Sequence, residues 1–374
     1  MAQVTAVRGF DTRRRRMRAR MRRWSACALT GWLVVLAVPP APAAAMDNID
    51  EGQWYVQSLR LREAHRITQG KGVTVAVIDG GVGRHADLAG NVLPGKDARP
   101  GTAEPDARND ESGHGTAMAG LIGAHGRVLG VAPQATILPL KYKSPSTPFG
   151  EIETSVNWAV AQGAKVISIS QGYPTAGVSD RRAVENAIAA DVVIVASAGN
   201  ADTGTRVEYP AAYPGVVAVG GVDRDGNHSK VSVRGFALVL CAPAEDISST
   251  APGGKYRVAS GTSSATALVA GAVALVRAKF PELSAQEVIH RLTATADDRG
   301  RAGRDDEYGY GVINIVRALT ADVQPSAGAP TSGGSATGPA GGGSGRWVWV
   351  VGVAVLLGVL LVVGLLMAQR AGRG

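Results

Sequence analysis

The sequence predicts an α/β domain built on a doubly wound, mostly parallel sheet with helices on both faces, followed by one C-terminal transmembrane helix. Two observations predict the sheet: short β-branched runs alternate with longer stretches of helical apolar spacing, and each run ends near Gly, Asn or Ser. A third predicts the span. Residues 347–368 hold no charge and are dominated by Val, Leu, Gly and Ala. As a helix they are long enough to cross a hydrocarbon core of about 30 Å.

Strands are expected at residues 73–78, 166–170, 192–196 and 216–219. Helices are expected at 151–162 and at 180–190, the second with Ser179 as its N-cap. Ser284-Ala285-Gln286-Glu287 is a capping-box pattern, in which a hydroxyl and a carboxylate three residues apart each satisfy a backbone donor, and it opens a helix to about Ala296. Gly261-Thr262-Ser263-Ser264-Ala265 marks another helix start, because small residues lead there into the apolar run 266–276. Strands separated by helices favour parallel pairing. In such sheets functional groups collect at the carboxyl ends of the strands.

The N-terminus carries the three parts of a secretory signal over residues 1–45: a basic region ending at Arg22-Arg23, an apolar core over 24–38, and Ala43-Ala44-Ala45 as a small-residue cleavage site. Recurring Arg pairs leave Sec and twin-arginine export both open. A Pro/Gly/Ser-rich linker over 323–346 separates the span from the body, and a short tail, 369–374, follows it. The signal directs the body outward. Arg370 and Arg373 beyond the span, against Arg346 before it, agree with a cytoplasmic tail. The expected location is therefore the cell membrane, single-pass, with an extension over 46–69 and a folded domain over 70–322 on the extracytoplasmic side.

A net charge of +8 would suit a nucleic-acid partner, but nine Arg and one Asp within residues 1–23 supply that whole excess. The body is mildly acidic, and nucleic acid is not expected as a partner. Of the two cysteines, Cys27 lies in the signal segment, leaving Cys241 without an intramolecular partner. Its apolar setting reads as the end of a buried strand, where a thiol is a small hydrophobe rather than a nucleophile.

Chemistry-bearing residues fall on these predicted ends. Asp79 directly follows the run 73–78 and precedes Gly80-Gly81, where it could orient a histidine or simply bond turn amides. His114 lies in Ser112-Gly113-His114-Gly115-Thr116, where glycines allow close backbone approach and imidazole suits general-base work. His65, His85, His125, His228 and His290 lack such a setting and read as structural or solvated. Asn200 closes Ser197-Ala198-Gly199-Asn200 after a strand; its amide could donate to an oxyanion or serve a turn. Ser263, at a helix N-terminus, is a nucleophile only if a base and oxyanion donors reach it. The chain order Asp, His, Ser is the subtilisin order of acyl-transfer triads, unlike that of chymotrypsin or the α/β-hydrolases.

With these residues the chain resembles the subtilase family of serine proteases. The matching segments are Val75-Ala76-Val77-Ile78-Asp79-Gly80-Gly81-Val82, His114-Gly115-Thr116 with Ala119-Gly120, Ser197-Ala198-Gly199-Asn200, Gly261-Thr262-Ser263-Ser264-Ala265 with Val269-Ala270-Gly271, and Tyr308-Gly309-Tyr310-Gly311-Val312-Ile313-Asn314. The resemblance implies a subtilisin-like fold, with Asp79 as orienter, His114 as base, Ser263 as nucleophile, and Asn200 with the Ser263 N–H as oxyanion hole. It implies that Ser170, Gln171 and Gly172 line the cleft by pairing with an extended peptide or protein substrate. No cofactor or metal-ligand constellation is expected; subtilases often bind structural calcium through loop oxygens, which cannot be assigned here. Three positions depart from the family's usual residues: Gly80 for Ser or Thr, Ser264 for Met or Phe, and Ala267 for Pro.

The region 46–69 is too short for the large chaperone propeptide of many secreted subtilases. Signal, short extension, subtilase body, Pro/Gly linker and single span together resemble the mycosin branch, membrane-anchored subtilases associated with type VII secretion. Two roles are implied: proteolytic processing of secretion substrates, or structural support of a secretion membrane complex with little required proteolysis.

Overall fold

The computed structural model describes residues 48–99, 106–142 and 151–326. The expected signal peptide and transmembrane span lie outside the described residues, among which no helix is long and apolar enough to cross a membrane.

Nine strands are described: β1 (Thr74–Asp79), β2 (Lys96–Asp97), β3 (Thr136–Lys141), β4 (Val166–Ile169), β5 (Val193–Ser197), β6 (Val217–Val222), β7 (Leu240–Pro243), β8 (Ile247–Ala251) and β9 (Lys255–Ala259). The first seven form one parallel sheet in the order β2-β3-β1-β4-β5-β6-β7, and β8 and β9 pair as an antiparallel ribbon. The strand order reverses at β1, which pairs with β3 on one side and β4 on the other. Such a reversal opens a crevice at the carboxyl ends of the strands. Asp79, the last residue of β1, stands there.

The helices are α1 (Asn48–Glu51), α2 (Trp54–Ser58), α3 (Leu61–Ile67), α4 (His114–Gly123), α5 (Glu151–Ala161), α6 (Val178–Ala189), α7 (Thr262–Lys279), α8 (Ala285–Ala294) and α9 (Ile315–Thr320). Alternation along the strands sends Val75, Val77, Val193 and Val195 into one core with α4 and α7, and Ala76, Ile78, Ile167 and Ile194 into a second with α5 and α6. The long helix α7 is buried along its length except at Ser263, Ala278 and Lys279. Alanine and glycine make that fit possible, since a Cβ on Gly271 would stand 2.6 Å from the Val131 Cβ. Ala267 is fully buried, so the helix packs there without the family's usual proline.

The capping box forms as expected, with Ser284 and Glu287 each accepting from the other's backbone N–H at 3.2 and 3.0 Å. Ser179 is not the N-cap of α6; the helix starts earlier and Gly177 takes that position without a side-chain cap. The Tyr213 hydroxyl holds Gly177 instead, accepting from its N–H at 2.8 Å and donating to its carbonyl at 2.9 Å. A partner distant in sequence thus does the work that a local hydroxyl would otherwise do. Cys241 lies in β7, fully buried, and burial pushes its thiol up to about 12.

The extension shares the main core, with Tyr55, Leu59, Leu61 and Ala64 buried in it. Gln53 donates to the Arg127 carbonyl and accepts from the Leu129 N–H, and Trp54 donates to the Glu245 carbonyl. Gly52 abuts β8 so closely that a Cβ would fall 2.1 Å from Ser248 Oγ.

Candidate active site

The crevice begins with Asp79, which is 1% exposed. Its carboxylate accepts from the Gly80 N–H at 2.7 Å and from His114 Nδ1 at 2.8 and 3.0 Å. His114 opens α4, and the glycine after it is required by the close approach. A Cβ on Gly115 would stand 2.1 Å from the Gly81 carbonyl oxygen and 3.0 Å from the Asp79 Cβ.

Asp110 holds this helix start. One oxygen accepts from Ser112 Oγ and the Gly113 N–H, the other from the Thr116 N–H and hydroxyl, all at 2.7 to 3.1 Å. It supplies the acceptors that a helix N-terminus leaves wanting, with favourable charge for the dipole. The same residues account for Gly80. A Cβ there would lie 3.2 Å from both Asp110 Oδ1 and Ser112 Oγ, so polar oxygens already stand where a side chain at this position would go.

The Asp79 carboxylate raises the His114 pKa above the ordinary imidazole value, with help from its hydrogen bond and from Asp110, against burial and the Arg257 charge, which lower it. A neighbouring carboxylate that favours the charged imidazole is the kind of tuning that acid–base work uses.

Ser263 is the second residue of α7. Its hydroxyl donates to the Ser170 carbonyl at 2.9 Å, and the Ser170 hydroxyl donates back to the Ser263 carbonyl at 3.3 Å. Ser170 directly follows β4, the neighbour of β1, so the strand reversal brings these groups to one place. Gln171 accepts a hydrogen bond from the Tyr142 hydroxyl. His114, Asn200 and Ser263 line one cavity of about 180 Å³, together with Arg257 and Ser264. No residue of 48–69 lines it.

Asn200 lies just past β5. Its Oδ1 accepts from the Thr262 N–H at 3.0 Å and from the Thr262 hydroxyl at 2.9 Å. The backbone donor fixes which end of the amide is oxygen, leaving Nδ2 as the donor end. Thr262 is itself fully buried, with its hydroxyl 2.7 Å from Ser197 Oγ. Sequence reasoning missed Thr262, Asp110 and Arg257. Asp110 had a signal, an acid just before a helix start; Thr262 read only as a small residue, and Arg257, on the ribbon strand β9 that the sequence did not reveal, had none.

The remaining histidines are occupied elsewhere: His65 meets the Val131 carbonyl, His85 the Asp87 N–H and Lys255 carbonyl, His125 the Gly123 carbonyl, and His290 the Gln324 carbonyl, while His228 packs edge-on to Tyr308. Among the described residues no group of three or more His, Cys, Asp or Glu side chains could hold a metal ion.

Comparison with known proteins gives a consistent picture. The model of the subtilase family matches residues 70–311. Subtilisin Savinase of Lederbergia lenta is 37% identical over 271 residues, 71% of this chain and 97% of its own. Subtilisin E of Bacillus subtilis is 38% identical over 258 residues, 67% of this chain and 66% of its own. Among solved structures, MycP1 with its N-terminal propeptide removed is 31% identical at a TM-score of 0.65, covering 73% of this chain and 98% of that one. MycP3, described as a protease from the type VII (ESX-3) secretion system, is 34% identical at 0.64, covering 72% and 88%.

Proposed function

The chain belongs to the subtilase family of serine proteases, and we propose that it is a membrane-anchored, extracytoplasmic endopeptidase that processes substrates of type VII secretion. One observation carries the catalytic part of this reading: a buried Asp79–His114 pair at the strand reversal, beside a cavity that His114 shares with Ser263 and Asn200.

In this reading Asp79 holds Nδ1–H of His114, which fixes the tautomer with Nε2 as the base. The Ser263 hydroxyl leaves the Ser170 carbonyl, donates to Nε2, and its oxygen attacks the substrate carbonyl. The oxyanion forms against Asn200 Nδ2 and the Ser263 N–H at the positive end of α7. The imidazolium then protonates the leaving amine, and water releases the acyl group by the reverse path. Ser170, Gln171 and Gly172 pair with the extended substrate.

The likeness to MycP1 and MycP3 supports the secretion context, and the uncharged stretch 347–368 supports the anchor. A fluorophosphonate probe on the full-length protein in detergent should label Ser263, and Ser263→Ala should abolish both labelling and peptide hydrolysis. Absence of labelling from folded protein would refute the catalytic reading and favour structural support of a secretion complex.

A further inference from the structure

Glu208 has no task in the reaction above, yet it stands between two segments that do. Its N–H donates to the Ala198 carbonyl at 3.0 Å, and the next residue, Tyr209, exchanges both backbone hydrogen bonds with Tyr173 at 2.7 and 2.9 Å. The first segment continues into Gly199 and Asn200; the second follows Ser170, Gln171 and Gly172. Glu208 thus lies between two walls, the segment of the proposed oxyanion donor on one side and the proposed substrate-pairing edge on the other.

The side chain lies against both walls where they are bare backbone. A Cβ on Gly172 would stand 2.5 Å from Glu208 Oε2 and 2.7 Å from its Cβ, and a Cβ on Gly199 would stand 3.2 Å from its carboxyl carbon. The carboxylate is partly buried and has no hydrogen-bond or ion-pair partner among the described residues; burial alone acts on its acidity, raising its pKa. An anion partly stripped of water and left unpaired is costly, and a cation delivered beside it recovers that cost.

A substrate whose carbonyl carbon meets Ser263 Oγ, with its oxygen at Asn200 and its chain along Ser170 to Gly172, must send that residue's side chain between those walls. Only a long side chain with a terminal cation reaches the Glu208 carboxylate and satisfies it. We infer that Glu208 makes the protease selective for Lys or Arg at the residue whose carbonyl is attacked. This rests on the proposed catalytic reading.

The test uses full-length protein in detergent and matched peptides that differ only at that residue, Lys against the similarly shaped but neutral Gln. Wild type should cleave the Lys peptide with kcat/KM higher by about 10- to 100-fold, the range set by one hydrogen bond between charged groups. Glu208→Gln should bring the ratio close to one, and Glu208→Lys should turn the preference towards Glu. If wild type labels with fluorophosphonate yet cleaves Lys and Gln peptides alike, or keeps its preference in Glu208→Gln, this inference is overturned and the protease reading stands. Protein that neither labels nor cleaves any peptide overturns both.

Discussion

Thr262 offers a way to separate positioning from chemistry at the oxyanion donor. Thr262→Val keeps the side-chain shape and the backbone N–H that Asn200 Oδ1 accepts at 3.0 Å, but deletes the hydroxyl bonded to Oδ1 at 2.9 Å and to Ser197 Oγ at 2.7 Å. The loss of one of two anchors should cost about 1 kcal/mol of transition-state stabilisation, about fivefold in kcat. Stranding the buried Ser197 hydroxyl should lower global stability by about 1–3 kcal/mol. Asn200→Ala, which removes the donor itself, should cost about 10²–10³ in kcat with KM little changed. The decisive measurement is the cycle. In the Asn200→Ala background Thr262→Val should leave kcat unchanged while still lowering Tm, since it has no amide left to hold. An equal loss of kcat in both backgrounds, or an effect confined to KM, would refute the positioning argument.

Activity should fall on acidification with a midpoint above the ordinary imidazole value, because Asp79 raises the His114 pKa and a protonated ring cannot accept the Ser263 proton. Arg257→Ala removes a lowering influence and should move that midpoint further up; a downward move in the pH–rate profile would contradict the assignment. Gly115→Ala would drive a methyl into the Gly81 carbonyl, 2.1 Å away, and part the Asp79–His114 contact. Peptide hydrolysis should drop more than about tenfold and thermal stability by about 1–3 kcal/mol. Asp110→Ala leaves the donors of Gly113 and Thr116 unpaired at the α4 terminus and should destabilise by about 2–4 kcal/mol in a denaturant melt, whereas an unchanged midpoint would sink its capping role.

The central strands were legible because burial on both faces leaves unbroken β-branched runs, and β1, β4, β5 and β6 start and end within a few residues of the sequence reading. Strand β3, Thr-Ile-Leu-Pro-Leu-Lys, was not, since proline and flanking polar residues hide a buried strand that pairs on both sides. The ribbon β8–β9 was hidden too, being rich in Ser, Thr and charge. Asp79, His114, Asn200 and Ser263 stood out by residue type and flanking glycine. The residues that hold them did not. Thr262 acts through a hydroxyl aimed backwards at a loop 62 residues away, and Glu208 becomes visible only once Gly172 and Gly199 are seen to close around it.

The electrostatics of His114 argue for why the acid, the helix start and the neighbouring cation occur together. His114 is the first residue of α4, where the dipole disfavours positive charge, and burial and Arg257 oppose it as well. Left to these, the imidazole would be a weak base, slow to take the serine proton. Asp79, buried and in direct contact, outweighs them, and Asp110 adds to it while capping the same helix. The result is a base whose charged form is stabilised by two fixed carboxylates rather than by water. Stabilisation of that kind needs no solvent reorganisation at the moment of proton transfer, which is where a preorganised site gains over bulk solution. The turn at Gly80-Gly81, the glycine at 115 and the Asp110 cap are then parts of one arrangement that keeps a carboxylate and an imidazole in contact at the end of β1.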